Sequence, residues 1–339
     1  VSTPLADLTS LRVGGPARDV QEAHTESDVI EAVRAADQAD TPILVLGGGT
    51  NVVVGDDGYP GEVLLVRTRG IDVSVDPCSG AWVSVAAGES WDDVIARAVA
   101  EEWSGVEALS GIPGLTGATP IQNVGAYGQE VADTIARVRA YDRTMGEVAV
   151  LPAGECGFGY RTSRFKQEPA RYVVLSVDFQ LPLGSLSAPV RYAELAARLG
   201  VAERERAPLV DVRAAVLDLR RGRGMVLQEA DHDTWSVGSF FTNPFVDGAV
   251  PDGAPHWPAA DGRVKTSAAW LVEHAGFPRG FTIDGRAALS SRHTLAITNR
   301  GGATASDVLR LARIIRDGVS DRYGIDLVPE PTLVACSLD

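Results

Sequence analysis

Residues Pro120-Ile121-Gln122-Asn123-Val124-Gly125-Ala126-Tyr127-Gly128 close a twenty-residue stretch, Leu109 to Gly128, that holds five glycines and two prolines and is short of charge. A segment of that kind loses much conformational entropy when it is ordered, so something must order it. A large flat cofactor would do so. Glycines let backbone approach a ligand closely, and Ser110, Thr116, Gln122 and Asn123 offer polar atoms. The alternative is a mobile loop, against which the shortage of charge argues.

Upstream, Ile43-Leu44-Val45-Leu46 reads as a buried strand that runs into Gly47-Gly48-Gly49-Thr50-Asn51. Consecutive glycines can turn several N–H groups toward a pyrophosphate. A tight turn between strands is the equal alternative. The spacing is not G-x-G-x-x-G and no helix follows at once, which disfavours a simple Rossmann nicotinamide site.

Downstream, Tyr160-Arg161-Thr162-Ser163-Arg164-Phe165 carries a guanidinium suited to a carboxylate, although most arginines serve surface ion pairs. Gly238-Ser239-Phe240-Phe241-Thr242-Asn243-Pro244 places a serine beside two aromatics that are expected to shield it. No G-x-S-x-G elbow surrounds it, so a hydrolase nucleophile is disfavoured, whereas a hydroxyl in an apolar pocket can protonate a reacting carbon. Arg220, Arg221 and Arg223 form a basic run that reads as a solvated helix end, or as a diphosphate site if it borders a pocket. Tyr192 reads as an aromatic near a helix start, and Glu330, between two prolines, as a terminal carboxylate.

The rest of the 339-residue chain bounds the answer. Its length predicts two or three lobes. A net charge of −14 argues against non-specific nucleic-acid binding. The three cysteines are far apart and form no zinc pattern. Leu5-Ala6-Asp7-Leu8 does not read as a leader, and no apolar run approaches the ~18 residues of a membrane span. The expectation is a soluble, cytoplasmic monomer without membrane or nucleic-acid partners.

Helical spacing predicts a helix capped by Ser27, one with Trp91, Val94, Ile95, Ala98 and Val99 on a single face, one over 208–221, one over 266–274 and one over 306–323. Strands are expected over 63–66, 82–86, 136–141, 147–151, 172–181, 294–298 and, last, Ile325–Val328.

Together these segments resemble the UDP-N-acetylenolpyruvoylglucosamine reductase family. The likeness is carried by Leu46-Gly47-Gly48-Gly49-Thr50-Asn51, Gly111-Ile112-Pro113-Gly114, Pro120 to Gly128, Tyr160-Arg161-x-Ser163-x-Phe165-Lys166, Gly238 to Pro244, Ala269-Trp270-Leu271-Val272-Glu273 and Pro329-Glu330-Pro331, in the family's order and over almost the whole chain.

The resemblance implies an α+β, three-lobed flavoprotein. A two-lobed FAD-binding region of the vanillyl-alcohol-oxidase/PCMH type would span 1–66 and 67–183. A C-terminal α+β substrate-binding domain would span 184–324, with the last strand, about 325–339, able to pack back on the first lobe. FAD would be held without a covalent link by Gly47, Gly48, Gly49, Thr50, Asn51, Ser110, Gly111, Ile112, Pro113, Gly114, Thr116, Gly117, Pro120, Gln122, Asn123, Gly125, Ala126 and Tyr127. No histidine or cysteine lies in either glycine-rich loop to make such a link.

NADPH is the implied hydride donor, and the enolpyruvyl ether of UDP-N-acetylglucosamine the implied substrate, reduced to UDP-N-acetylmuramate. Ser239 would protonate the carbanion, while Arg161 and Glu330 stabilise the charge spread into the substrate carboxylate. Tyr192, Arg223, Asn243, Tyr160, Lys265 and His293 would hold the nucleotide sugar, Tyr192 from a loop that closes over it. Arg223 stands where lysine is common in the family, His293 where glutamine is, and Thr332 where some members carry arginine. Two rivals remain: an FAD-dependent sugar or lactone oxidase of the same architecture, which needs neither Ser239 nor Glu330, and a non-catalytic nucleotide-sugar binder.

Overall fold

A computed structural model describes residues 3–259 and 262–339. The chain forms two compact units, and neither is contiguous in sequence. One comprises residues 1–18, 49–60 and 222–339; the other comprises 19–48 and 61–221. These limits differ from the expected boundaries at 66, 183 and 324, and the reason is which residues share a core.

In the unit built from 19–48 and 61–221, the centre is an antiparallel five-stranded sheet. Its spatial order is Glu147–Pro152, Ile135–Asp142, Tyr172–Leu181, Gly80–Ala86 and Ile71–Asp76. One face receives the helix Trp91–Ala100, whose Trp91, Val94, Ile95, Ala98 and Val99 are all buried, as the helical spacing predicts. Strand Ile43–Leu46 runs parallel to residues 62–65. Helix Glu26–Gln38 packs Val29 and Val33 into one core with Leu64, Tyr141, Val173 and Leu175. Residues on both sides of position 66 therefore share that core. Residues 184–221 also belong to this unit, and Leu209 of helix Leu209–Gly222 enters the core of the five-stranded sheet.

Helix Glu26–Gln38 starts two residues earlier than the Ser27 cap predicts. Thr25 and Asp28 form a reciprocal capping box, with Asp28 N–H donating to Thr25 Oγ1 at 3.1 Å and Thr25 N–H to Asp28 Oδ2 at 2.8 Å. A carboxylate three residues after a threonine satisfies two orphan donors, which a serine inside the first turn cannot do.

The other unit has its own core. Leu11, Val13 and Val53 pack there with Phe240, Phe241, Leu271, Ile297, Val308, Leu311 and Ile315. The N-terminal segment and residues 52–54 thus belong with the C-terminal elements. Helix Ala305–Tyr323 begins at a Thr304–Asp307 capping box. Asp56 adds a carboxylate at that end, accepting from Ala305 N–H at 2.7 Å and Ser306 N–H at 2.9 Å, where the helix dipole favours negative charge.

Ile325–Val328 forms no strand. The last strand is Thr332–Val334, parallel to Val52–Val54. Pro329 and Pro331 lack the N–H groups that a continuous ladder needs, so the stretch before Thr332 makes isolated bonds instead, Thr242 N–H donating to Val328 O at 3.0 Å and Glu330 N–H to Phe240 O at 2.8 Å. No described helix is long and apolar enough to cross a membrane.

Candidate active site

The unit containing 222–339 draws three of the sequence motifs together through backbone bonds. Ser236–Ser239 pairs antiparallel with Ala296–Asn299, with an irregularity in register between Ser236 and Ser239 where Gly238 takes φ +77°. Phe240 N–H donates to Leu295 O and Glu330 N–H to Phe240 O, both at 2.8 Å. Phe241 bridges Pro329. Asn51 then joins the same knot: Thr332 N–H donates to Asn51 O at 3.0 Å, and the Asn51 side chain reaches Glu330 O at 3.5 Å. Ser239, Glu330 and the end of the triple-glycine loop therefore share one scaffold.

Ser239 is half-buried rather than enclosed. Phe240 and Phe241 are buried in the hydrophobic core, edge to face at 5.2 Å, and spend their rings there instead of covering the hydroxyl. Among the described residues the Ser239 hydroxyl has no protein hydrogen-bond partner, which leaves it available to a ligand.

Asn243 uses its side-chain oxygen to accept from Ala268 N–H at 2.9 Å, fixing the loop to the start of helix Ala268–His274. His293 Nδ1 accepts from Leu295 N–H at 3.1 Å, so the neutral ring carries its proton on Nε2. Lys265 pairs with Phe245 and with Trp257 across a small sheet, its ammonium 6.0 Å from the Trp257 ring. Arg223 is half-buried. Arg220 and Arg221 lie on different sides of their helix, Arg220 buried and Arg221 exposed, so the basic run is not a single cluster.

Asp233 braces this scaffold, a role that sequence reading missed because its partners lie some sixty residues away. It accepts from Ser291 N–H at 3.1 Å, Ser290 Oγ at 3.1 Å, Ser291 Oγ at 2.8 Å, Arg292 Nε at 2.9 Å and Arg300 Nη1 at 2.6 Å. Burial alone would raise its pKa, but the Arg292 and serine hydrogen bonds outweigh burial and hold the carboxyl at about 2, below the ordinary 3.8. A depressed carboxylate stabilises the fold above its unfolded pKa, and that contribution is lost as pH falls from ~4 toward ~2. Asp233→Asn should therefore cost about 2 kcal/mol near neutral pH. It should also flatten the acid limb of a urea-stability profile; an unchanged acid limb would exclude the assignment.

The unit containing 61–221 holds the long loop and Arg161. The loop is pinned by backbone hydrogen bonds to a neighbouring segment. It lies along residues 87–92: Gly117 N–H donates to Ala87 O at 2.9 Å, Thr116 N–H to Glu89 O at 2.8 Å, and Trp91 N–H to Gly114 O at 3.1 Å. A Cβ on Gly117 would meet the Ala87 Cβ at 2.5 Å, so only glycine allows that approach.

Ser110 and Thr116 are fully buried and turn their hydroxyls to the carbonyls of Glu107 and Glu89. Asn123 donates to Glu130 at 2.7 Å and to Gly159 O at 3.1 Å. These three side chains build the loop, which leaves contacts to a bound group mainly to its backbone. Gly111 N–H donates to Asp92 at 2.6 Å, and Arg213 clamps the same carboxylate at 2.6 and 3.0 Å. Burial acts to raise the Asp92 pKa, but the hydrogen bonds from Arg213 and Gly111 lower it overall.

The motif ends in a two-residue hairpin. Gly125–Ala126 pairs with Gln129–Glu130 across Tyr127 and Gly128, whose φ angles are +48° and +82°. Two positive φ values at the tip are those of a type I′ turn; at Tyr127, a bulky residue, that conformation is strained. Arg161, itself at φ +52°, donates from Nη2 to Gly125 O at 2.6 Å and lies 5.3 Å from the Tyr160 ring. Ser163 Oγ donates to Ile121 O at 2.6 Å. The Tyr-Arg segment is thus fastened to the hairpin. Tyr192 is partly exposed and meets Tyr127 edge-on at 5.3 Å.

The triple-glycine loop fits a flavin nucleotide's pyrophosphate. Gly49 is buried, and neither Gly48 nor Gly49 N–H has a protein acceptor among the described residues. Buried N–H groups in native proteins nearly always have a partner, and a phosphate oxygen would supply one. Ile112, Pro113, Pro120, Gln122 and Ala126 lie along the long loop, of which Pro120 is buried and the other four are half-buried. Gly47 and Thr50 are half-buried within the triple-glycine loop. Among the described residues no group of three His, Cys, Asp or Glu side chains could hold a metal.

Comparison with known proteins agrees with this layout. Residues 18–151 match the FAD binding domain, and residues 228–334 match the C-terminal domain of UDP-N-acetylenolpyruvoylglucosamine reductase. A UDP-N-acetylenolpyruvoylglucosamine reductase of Cutibacterium acnes is 56% identical over 338 residues, covering 99% of this chain and 90% of that protein. The Salinispora arenicola reductase is 54% identical over 346 residues, covering 98% and 95%. The crystal structure of the Thermus caldophilus enzyme superposes with a TM-score of 0.68 at 27% identity, covering 98% of each chain. With this similarity over nearly its full length, the chain belongs to the UDP-N-acetylenolpyruvoylglucosamine reductase family of FAD-dependent oxidoreductases.

Proposed function

We propose that the protein reduces UDP-N-acetylglucosamine enolpyruvate to UDP-N-acetylmuramate with NADPH, a step of peptidoglycan precursor synthesis, with Ser239 as the proton donor. The observation that carries this reading is that the Phe240–Glu330 backbone bond holds Glu330 beside the Ser239 strand, where the Ser239 hydroxyl has no protein hydrogen-bond partner among the described residues. The flavin, when bound, supplies two-electron hydride chemistry between NADPH and the vinyl group. Everything else falls to the chain.

Hydride addition at the terminal vinyl carbon leaves negative charge on the carbon next to the carboxylate. Ser239 Oγ delivers its proton to that carbon. Serine is a weak acid, so the transfer depends on a strongly basic carbanion and on a hydroxyl held by strand pairing on both sides. Arg161 binds the substrate carboxylate through its planar fork, for which its bond to Gly125 O pre-sets the direction. Glu330 holds a proton near the forming enediolate, or relays one to it. Tyr192, Arg223, Asn243, Tyr160, Lys265 and His293 hold the nucleotide sugar, and we place the enzyme in the cytoplasm as a monomer.

Purified protein should be yellow, and its visible flavin bands should bleach on anaerobic addition of NADPH. Subsequent UDP-N-acetylglucosamine enolpyruvate should restore them and yield the two-electron-reduced sugar. Reoxidation by oxygen alone, with turnover of a sugar or lactone and none of the enolpyruvyl sugar, would favour the oxidase reading and overturn this one.

A further inference from the structure

Glu107 is completely buried, and among the described residues no lysine or arginine pairs with it. Its carboxylate accepts three N–H groups instead: Gly105 N–H at 2.6 Å, the Gln129 side chain at 2.8 Å and Ala188 N–H at 2.8 Å. Gln129 in turn accepts from Ala108 N–H at 2.7 Å. A buried carboxylate without a cation is costly unless its lone pairs are filled, and an amide in its place offers only one acceptor oxygen. Three separate pieces of chain meet here: the turn that opens the long glycine-rich loop, the strand that closes it, and the segment that leads into Tyr192.

That last segment is held elsewhere mainly by its own neighbours, through Ser187 N–H to Ala207 O and Val190 N–H to Glu205 O, both at 2.8 Å. Its ties to the glycine-rich loop include the Glu107–Ala188 bond at its base, the Tyr127–Tyr192 ring contact at its end, and Val190 and Arg191 packed on the loop between them.

We propose that Glu107 is a positioning residue that anchors the Tyr192-bearing segment to the glycine-rich loop, and so sets where Tyr192 meets the nucleotide sugar. The part concerning the sugar rests on the function proposed above; the anchoring does not. Two substitutions test it in the flavin-loaded protein. Glu107→Leu removes both acceptor oxygens; a glutamine would keep an amide oxygen at the Oε1 position, where it still accepts from Gln129 and Ala188. Ala188→Pro removes the N–H at the other end and sets the ring Cδ where that hydrogen pointed, and Pro189 already confines residue 188 to extended backbone.

Amide exchange in a peptide covering 186–192 should accelerate about tenfold in both variants, the loss expected for one hydrogen bond to a charged acceptor. Exchange in the strand Tyr172–Leu181 should not change. KM for the enolpyruvyl sugar should rise about tenfold, with kcat and the rate of flavin bleaching by NADPH within about twofold. The double variant should be no worse than Glu107→Leu alone, because both substitutions cut the Glu107–Ala188 bond.

Unchanged exchange at 186–192 in Ala188→Pro would overturn the anchoring, whether or not Glu107→Leu folds. Accelerated exchange with KM unchanged would overturn the link to substrate. A protein that exchanges as expected but lacks reductase activity would refute the function proposed above and leave the anchor standing.

Discussion

Ser239→Ala will fold, bind flavin and be reduced by NADPH at the wild-type rate, yet turn over the enolpyruvyl sugar about 10³- to 10⁴-fold more slowly, the range for loss of a positioned proton donor. The alanine leaves the scaffold intact, because the neighbouring bonds are made by backbone: Phe240 N–H to Leu295 O and Glu330 N–H to Phe240 O. Among the described residues no protein partner of the hydroxyl is stranded by its removal. Stopped-flow absorbance separates the two half-reactions, so that only flavin reoxidation by the sugar should slow. The loss should appear in kcat and in kcat/KM alike, the signature of an interaction made in the transition state. Turnover within about tenfold of wild type would remove Ser239 from the proton-donor role.

Gly49→Ala is expected to be as severe, for a different reason. Gly49 has φ +62°, and an added Cβ would stand 2.0 Å from Leu8 O and 2.9 Å from the Thr9 Cα. Both obstacles are backbone and cannot rotate away. The segment is also tied down by Ser10 N–H donating to Gly49 O at 3.0 Å. A cost of about 4 kcal/mol or more follows, in the range of the strongest single-site effects, together with loss of bound flavin. Gly47→Ala is the internal control. Its Cβ would meet only the Leu115 side chain, at 3.6 Å or more, so stability should stay within about 1 kcal/mol of wild type. Equal denaturant midpoints for the two variants would show that the crowding at Gly49 is not what the loop depends on.

The elements that sequence reading recovered are those whose information is local. The Trp91 helix repeats its apolar residues at helical spacing, and all five are buried as expected. Four strands of the five-stranded sheet alternate or run apolar and appear within a residue or two of their expected limits, whereas the edge strand Ile71–Asp76, mostly exposed, was not expected. Errors arose where a local signal competed with another. Ser27 looked like a cap, but the Thr25–Asp28 pair satisfies two donors at once. Ile325–Val328 has strand composition, yet it makes an isolated bond, Thr242 N–H to Val328 O, and the prolines at 329 and 331 interrupt a continuous ladder. The long loop is pinned by residues 87–92 and by Glu107, and neither segment carries a motif that announces the role.

The chain's motifs by themselves determined the family and the cofactor class, because glycine at crowded turns leaves marks in linear order. Only the tertiary structure decided that Asn51, Phe240 and Glu330 are backbone neighbours. It likewise decided that residues 5–15 share a core with the last hundred, and that Asp233, Asp92 and Glu107 hold the loops in place. Those facts depend on burial and on hydrogen bonds between residues tens to hundreds of positions apart, and neither composition nor periodicity encodes which buried donor a given carboxylate will meet.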